Sequence, residues 1–363
     1  MLKKLFKLGL QQLWLTHREY LRKNPALTYL FWECTLNCNF CCQHCGSRAG
    51  GGHIAETLSA VEIKSALADI ARNFDARKIM IAVTGGEPLL RQDLFEVMKY
   101  ATSLGFGWGM VSNGSLVTPE TVAKLKDAGM KTADISIDGT REVQDAFRNT
   151  PGAYDKAINA VKLLAAADFL RPLRITTTVH SKNIDLLDEM YAAFAALDIK
   201  DWRLLSIEPI GRAMDNNDLL LSRAQQLKLL RFIKNKRAEK SKLKITYGCA
   251  HFLGEEFEDE VRNNFFYCGT GINIGSILHN GDIFVCPNVP REPELIQGNV
   301  KRDSFSEVWR DKFKFFRDKE RTKCDKCAGC EHWEKCLGGS LHAWDFEKKC
   351  PKICFMDEDL YLK

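Results

Sequence analysis

No apolar stretch in the 363 residues reaches the roughly 18 positions that a membrane-crossing helix requires, which excludes a transmembrane segment. The formal net charge of +5 is small for this length and gives no electrostatic argument for a nucleic-acid partner. With 10 prolines and 25 glycines beside 45% hydrophobic and 27% charged residues, the chain is neither collagenous, fibrous nor disordered. Cysteine is missing from the roughly 200 residues between Cys45 and Cys249, so that block folds without thiol chemistry. A secreted disulfide scaffold would be short and stapled throughout. What is present is 14 cysteines in two groups, five from Cys34 to Cys45 and nine from Cys249 onward. Metal or cluster ligation in a reducing compartment accounts for that distribution.

The N-terminal MLKKLFKLGLQQLWL is not a signal peptide, because Lys7, Gln11 and Gln12 interrupt its apolar run and no small-residue cleavage site follows. Leu2, Phe6, Leu10 and Leu13 fall near helical spacing, which predicts a helix over residues 1–27 docked on the main domain. A membrane-surface or partner-binding helix, using Trp14, Lys3, Lys4 and Lys7, is the alternative. From Thr28 to Ile210 six strand candidates alternate with helices: LTYLFWECT, KIMIAVTG, GWGMVSNG, TADISIDG, LRITTTVH and WRLLSIEPI. They lack polar alternation, as strands buried on both faces of a parallel sheet do. Ser59-Ala60-Val61-Glu62 reads as a capping box, and Thr118-Pro119-Glu120 places proline at a first helical position. Six βα units in series predict a right-handed parallel array, either an open sheet or a barrel of fewer than eight strands, with chemistry at the strand carboxyl ends. Those ends carry a Cys-rich loop, Gly85-Gly86-Glu87-Pro88, Ser112-Asn113-Gly114 and Ser136-Ile137-Asp138-Gly139.

The first cysteine group, CTLNCNFCCQHC, holds two C-x3-C-x2-C frames: Cys34, Cys38, Cys41 and Cys38, Cys42, Cys45. Three thiolates in one short loop can hold a corner of an iron–sulfur cluster and leave one iron open. A zinc site that borrows His44 is the alternative, since structural zinc takes four protein ligands.

On these motifs the chain resembles the radical S-adenosylmethionine (SAM) superfamily. The resemblance implies a partial (β/α)6 TIM-like barrel over residues 28–215. It implies a [4Fe–4S] cluster on Cys38, Cys42 and Cys45, with Glu33-x-Thr35-x-x-Cys38-Asn39 leading in, His44 at the ring position, and SAM on the open iron. Cys34 and Cys41 become small buried bystanders. Gly85, Gly86, Glu87 and Pro88 resemble the element that receives the methionyl amino group, Ser136 and Asp138 the positions that bind the ribose hydroxyls, and Arg148 a residue that meets the SAM carboxylate. Ser112 and Asn113 lie on the neighbouring strand end and are expected to assist.

Residues 216–262 are read as a polar helical bridge, ending near KNKRAEKSKLK. Residues 263–363 resemble a SPASM domain, a C-terminal iron–sulfur module of many peptide-modifying radical SAM enzymes. The resemblance rests on Cys268-x12-Gly281-x4-Cys286, Gln297-Gly298-Asn299-Val300, Cys327-x2-Cys330-x5-Cys336-x3-Ser340, Cys350 and Cys354. It implies one or two auxiliary clusters. The outer one takes Cys327, Cys330, Cys336 and Cys350, with Cys354 the rival for the last place. The inner one has Cys268 and Cys286 but Ser340 where the pattern has cysteine, leaving Ser340 itself, Cys249 or Cys324 to complete it. Pro287 and Asn288 follow Cys286, where the sulfatase-maturing branch has a catalytic Asp, which counts against formylglycine formation.

The implied activity is reductive cleavage of SAM to methionine and a 5′-deoxyadenosyl radical that modifies, by cross-linking or oxidation, a peptide or protein side chain. A radical SAM enzyme acting on a tetrapyrrole is the alternative, and a non-catalytic iron–sulfur or zinc scaffold the second. The resemblance further implies a flavodoxin- or ferredoxin-like reductant and a cytoplasmic or membrane-peripheral place in an organism living with little oxygen. About 27 residues precede the first strand, too few for a leader-binding winged helix, so a separate peptide-binding partner is expected as one way to hold the substrate.

Overall fold

The computed structural model describes residues 2–50, 56–239, 241–248, 251–357 and 360, with the side chains of residues 2–8 also left out. The strands β1 (Tyr29–Thr35), β2 (Met80–Gly85), β3 (Gly107–Ser112), β4 (Thr132–Ser136), β5 (Leu173–Val179) and β6 (Asp201–Ser206) pair in parallel with their sequence neighbours. Alternate positions point outward: Leu30, Trp32, Ile81, Val83, Trp108, Met110, Ile135, Ile175 and Trp202 are buried in one continuous core. On the other face Arg174 and Arg203 close on Asp134 at 3.2 and 3.0 Å, and Thr176 donates to the same carboxylate. Helices cover the outer face, among them Ala60–Asn73 and Pro119–Asp127. The Ser59–Glu62 capping box is formed in both directions, and Thr118 caps the second of these helices ahead of Pro119.

Two features depart from the sequence reading. The stretch taken as a helical bridge holds not only a helix (Arg223–Ala238) but a seventh parallel strand, β7 (Lys244–Tyr247), paired with β6 from Asp201↔Lys244 to Leu204↔Tyr247. Ile245 and Tyr247 are buried while Lys244 is exposed, a two-residue alternation hidden at the end of a lysine-rich run. At the opposite edge, β8 (Ile274–Ile277) pairs in parallel with β1, from Tyr29↔Ile274 to Trp32↔Ile277. Antiparallel β9 (Asp282–Phe284) and β10 (Gly298–Asn299) follow it. The cysteine-rich region is therefore continuous with the barrel sheet, whose order is β10-β9-β8-β1-β2-β3-β4-β5-β6-β7. The sheet is open, because β10 and β7 are its two edges.

The N-terminal helix spans Leu2–Lys23, and it docks on the cysteine-rich region rather than on the barrel. Arg18 donates to the carbonyls of Lys335, at 3.2 Å, and Glu334, and Trp14 meets Tyr267 edge-on at 6.0 Å. Of the expected apolar positions, Leu10 and Leu13 stay exposed, Leu13 at 68%. Leu2, Lys3, Lys4, Phe6 and Lys7 fall among the side chains left out. No helix among the described residues is long and apolar enough to cross a membrane.

If the 244–247 segment is a buried strand, Ile245→Asp should lower stability by roughly 3 kcal/mol or more, through an unpaired carboxylate in the core. Lys244→Ser should stay within about 0.5 kcal/mol of wild type. Chemical denaturation of the two variants side by side measures the difference, and equal midpoints would return the segment to a solvated bridge.

Candidate functional site

The loop after β1 carries the first cysteine group at the carboxyl rim of the sheet. Cys34 lies on β1 itself, fully buried in the main core, and burial raises its thiol pKa. Cys38, Cys42 and Cys45 gather with Phe40 and Ala153 in a separate small apolar cluster that leaves out Cys41. Cys41 is half-exposed, where a buried bystander was expected. Burial pushes the Cys38 thiol up to about 11, so its thiolate needs a cation beside it, and cluster iron would supply one.

The loop is seated by backbone contacts that only glycine allows. Gly86 donates its N–H to the Thr35 carbonyl at 2.7 Å, and Glu87 donates to that of Asn37 at 2.8 Å. A Cβ on Gly85 would lie 2.2 Å from the Thr35 oxygen, and one on Gly86 2.0 Å from the Asn37 oxygen; Gly85 also holds φ = +128°. These glycines therefore let the β2 loop pack on the cysteine loop, a reason additional to close approach of a ligand. From the far side, Arg212 donates to the carbonyls of Cys42 (2.7 Å) and Ala49 (2.8 Å), and Asn216 to that of Gln43 (3.0 Å). Sequence reasoning missed this clamp after β6, since nothing in GRAMDN marks it.

Glu87 is fully buried, which raises its pKa, and its oxygens accept from the Ser112 hydroxyl and the Asn113 backbone N–H, each at 2.9 Å. Ser112 and Asn113 thus hold Glu87 in place. Pro88 opens the short turn that follows. Asp138 accepts from the Thr178 N–H at 2.7 Å and pairs with Arg148. Arg148 in turn reaches the Cys42 sulfur at 3.6 Å, so the structure joins the expected ribose and carboxylate residues to a cluster-loop thiol. Ser136 ends β4 beside them, its carbonyl taken by Gln144. Next to this group, His44, Phe147 and His180 stack with ring centroids 4.2 and 4.0 Å apart. Burial holds both histidines neutral, His180 down to about 3. His44 Nδ1, His180 Nε2 and Arg148 Nε are buried without partners. Such a set of unfilled donors and acceptors fits a polar ligand at this rim.

Above the rim a cavity of about 480 Å³ opens between the cysteine loop and the C-terminal region, lined by Gly46, Arg48, Ile210, Met214, Arg291 and Trp344 among others. Glu33, at 0% exposure, holds two of the residues around the cavity, Arg291 and, at 3.4 Å, Ser47, and also pairs with His279 at 2.7 Å.

In the C-terminal region a small apolar cavity of about 50 Å³ is walled by Cys327, Cys330, Cys336 and Cys354. Cys350, which the sequence reading put in the fourth place, is absent from that wall, because it starts a two-residue strand paired with Trp344–Asp345. Burial pushes Cys336 and Cys327 up to about 12. Cys324 sits 3.5 Å from the Cys327 sulfur, beside this outer group. Cys268 packs against Thr270, at 3.2 Å, and Arg321, whereas Cys286 lies near Tyr29 at the start of β1; Ser340 is buried. Cys249 lies outside the described residues. Among the described residues no three His, Cys, Asp or Glu side chains converge tightly enough to hold a single metal ion. A polynuclear cluster holds its thiolates farther apart than one ion does.

Residues 32–195 match the radical SAM superfamily, and residues 268–331 match SPASM, described as an iron–sulfur cluster-binding domain. The chain is 30% identical over 340 residues to the AdoMet-dependent heme synthase of Nitratidesulfovibrio vulgaris, covering 89% of each protein. The chain belongs to the radical SAM superfamily. This radical SAM enzyme is also 31% identical over 317 residues to the mycofactocin maturase MftC of Mycobacterium tuberculosis, covering 86% of this chain and 78% of that one. Its fold superposes on Streptococcus suis SuiB with a TM-score of 0.69 at 16% identity, over 88% of this chain and 74% of that one. Its cofactors are a [4Fe–4S] cluster with SAM, and its SPASM domain binds auxiliary iron–sulfur clusters.

Gly86→Ala forces a methyl group onto a backbone oxygen and is expected to cost roughly 2 kcal/mol or more. Gly107→Ala meets the flexible Met80 side chain at its sulfur, at 3.2 Å, and a backbone oxygen no nearer than 4.0 Å, and should cost far less. Thermal melting of both cluster-free variants checks this. Similar losses for the two would mean that the β2 loop is not seated on the cysteine loop.

Proposed function

We propose that Cys38, Cys42 and Cys45 hold the catalytic cluster and that Gly85, Gly86, Glu87, Pro88, Ser136, Asp138 and Arg148 seat SAM. In this reading Cys327, Cys330, Cys336 and Cys354 hold the outer auxiliary cluster, and the enzyme oxidises or cross-links a carbon of a peptide or protein side chain. When bound, the cluster and SAM supply one-electron reductive cleavage of SAM and hydrogen abstraction from an unactivated carbon. The protein's part is to orient and to exclude water. Ser112 and Asn113 fix Glu87 so that it presents a buried carboxylate to an amino group. Arg148 can leave Asp138 for a carboxylate, which frees Asp138 for hydroxyls. A flavodoxin- or ferredoxin-like protein supplies the electron, and a set of cysteines that form no disulfide among the described residues suits a cytoplasmic, low-oxygen setting.

The observation that carries the peptide reading is the charge at the rim cavity. Both guanidiniums there are already paired, Arg48 with Asp215 at 2.6 Å and Arg291 with buried Glu33, and Glu292, Asp345 and Glu347 add carboxylates against one further cation of the lining, Lys352. Such a wall suits a peptide segment better than a porphyrin with several carboxylates, each of which needs a free cation. The similarity to heme synthases supports a tetrapyrrole substrate as the second reading.

Cys42→Ala is expected to abolish SAM cleavage and remove about four irons from the anaerobically reconstituted protein, while Cys41→Ala retains both. An inactive Cys41→Ala beside an active Cys45→Ala would reverse the choice of frame. For the substrate, mass spectrometry of a peptide encoded beside this gene and co-expressed with the enzyme should show the loss of two hydrogen atoms. An unchanged peptide, together with turnover of a supplied iron-coproporphyrin, would replace the peptide reading with the tetrapyrrole one.

A further inference from the structure

The cavity walled by Cys327, Cys330, Cys336 and Cys354 has another polar neighbour that no motif marks. His251 lines it from the segment after β7, is 3% exposed, and has a hydrogen-bond partner on neither ring nitrogen. The rest of the lining is mostly apolar, including Phe252, Trp333, Ile353 and Phe355, whose ring centroid lies 6.1 Å from that of His251. Burial lowers the His251 pKa to about 4, so near neutrality the ring carries one N–H donor and one bare nitrogen. The nearest carboxylate in electrostatic terms, Glu208, is bound instead to His342 at 2.5 Å. His332 also borders the cavity, but it is partly exposed and has Glu331 at 3.5 Å. A buried imidazole without a partner is costly, and in this place the group that fills the cavity is what can relieve it.

We propose that His251 donates its ring N–H to a sulfur of the auxiliary cluster held in this cavity and thereby raises that cluster's reduction potential. The inference rests on the assignment of the outer cluster to Cys327, Cys330, Cys336 and Cys354. Reduction adds negative charge to the cluster and its sulfurs, so a donor aimed at sulfur stabilises the reduced form more than the oxidised one. His251 is then a positioning and tuning residue, not an iron ligand. It joins the barrel to the auxiliary site, because it follows β7 in the chain while the cysteines belong to the C-terminal region.

The test uses the full chain, reconstituted anaerobically with iron and sulfide, with Cys38→Ala, Cys42→Ala and Cys45→Ala combined so that only auxiliary iron reports. In that background His251→Phe keeps a ring and removes the N–H, and His251→Gln keeps a donor. Iron and sulfide content should match the parent in both. In an EPR-monitored redox titration the midpoint should move to more negative potential in His251→Phe and return toward the parent in His251→Gln. His251→Leu repeats the comparison if the phenyl ring is not accommodated. An unchanged midpoint in the donor-free variants would overturn the inference, as would loss of cluster iron in them, which would make the ring a ligand. A Cys354→Ala chain that keeps all its auxiliary iron would overturn the ligand assignment itself, whatever His251 does.

Discussion

Glu33 is a carboxylate with no exposure, placed near the end of β1, two residues before the strand's last residue, Thr35. A buried charge of that kind is stable only when it is paired and hydrogen-bonded, since removing one partner leaves several kcal/mol uncompensated. Its partners come from elsewhere in the chain: His279 and Arg291 from the C-terminal region, and Ser47 from the cysteine loop. β8 lies beside β1 for four residues below this point, so the same strand is held by backbone pairing and by this carboxylate. The rim, the cysteine loop and the cavity above them are fixed relative to one another through β1.

The rim itself is built around buried charge. Burial raises the carboxyl pKa of both Glu87 and Asp138. Each is kept in place by donors from the next strand end: Ser112 and Asn113 after β3 for Glu87, Thr178 on β5 for Asp138. Arg148 adds the positive charge and reaches Cys42. Such a pre-arranged polar floor beneath half-buried thiols suits a site that must bind a zwitterionic sulfonium and keep water away from it.

The C-terminal region solves a different problem. Its outer cavity is mostly apolar apart from four thiols, two imidazoles and the Lys326 ammonium, and burial raises the Cys327 and Cys336 thiols strongly. In the proposed assignment iron would compensate the charge of the four sulfurs, which would couple metal loading to local folding. Anchoring by Arg18 of the N-terminal helix to the backbone at Glu334 and Lys335, next to Cys336, adds a scaffold that does not depend on iron.

Local pattern by itself determined much of this protein. The six strands of Val, Ile, Thr and aromatic residues, the Ser59 and Thr118 caps, and the spacing of Cys38, Cys42 and Cys45 each lie within a few residues of chain. Short-range sterics and hydrogen bonding suffice to specify them. Only tertiary structure decided the rest. β7 hid in a lysine-rich run because two buried side chains are too few to make a periodic signal, and it exists because β6 offers an open edge. β8 finds β1 across some 240 residues, a pairing that no local window contains. The same holds for Arg212 on the cysteine loop, for Cys354 on a cavity wall that Cys350 does not reach, and for His251 beside it. Which of several chemically equal thiols meets its neighbours depends on where distant backbone segments cross, and that geometry follows from packing the whole core.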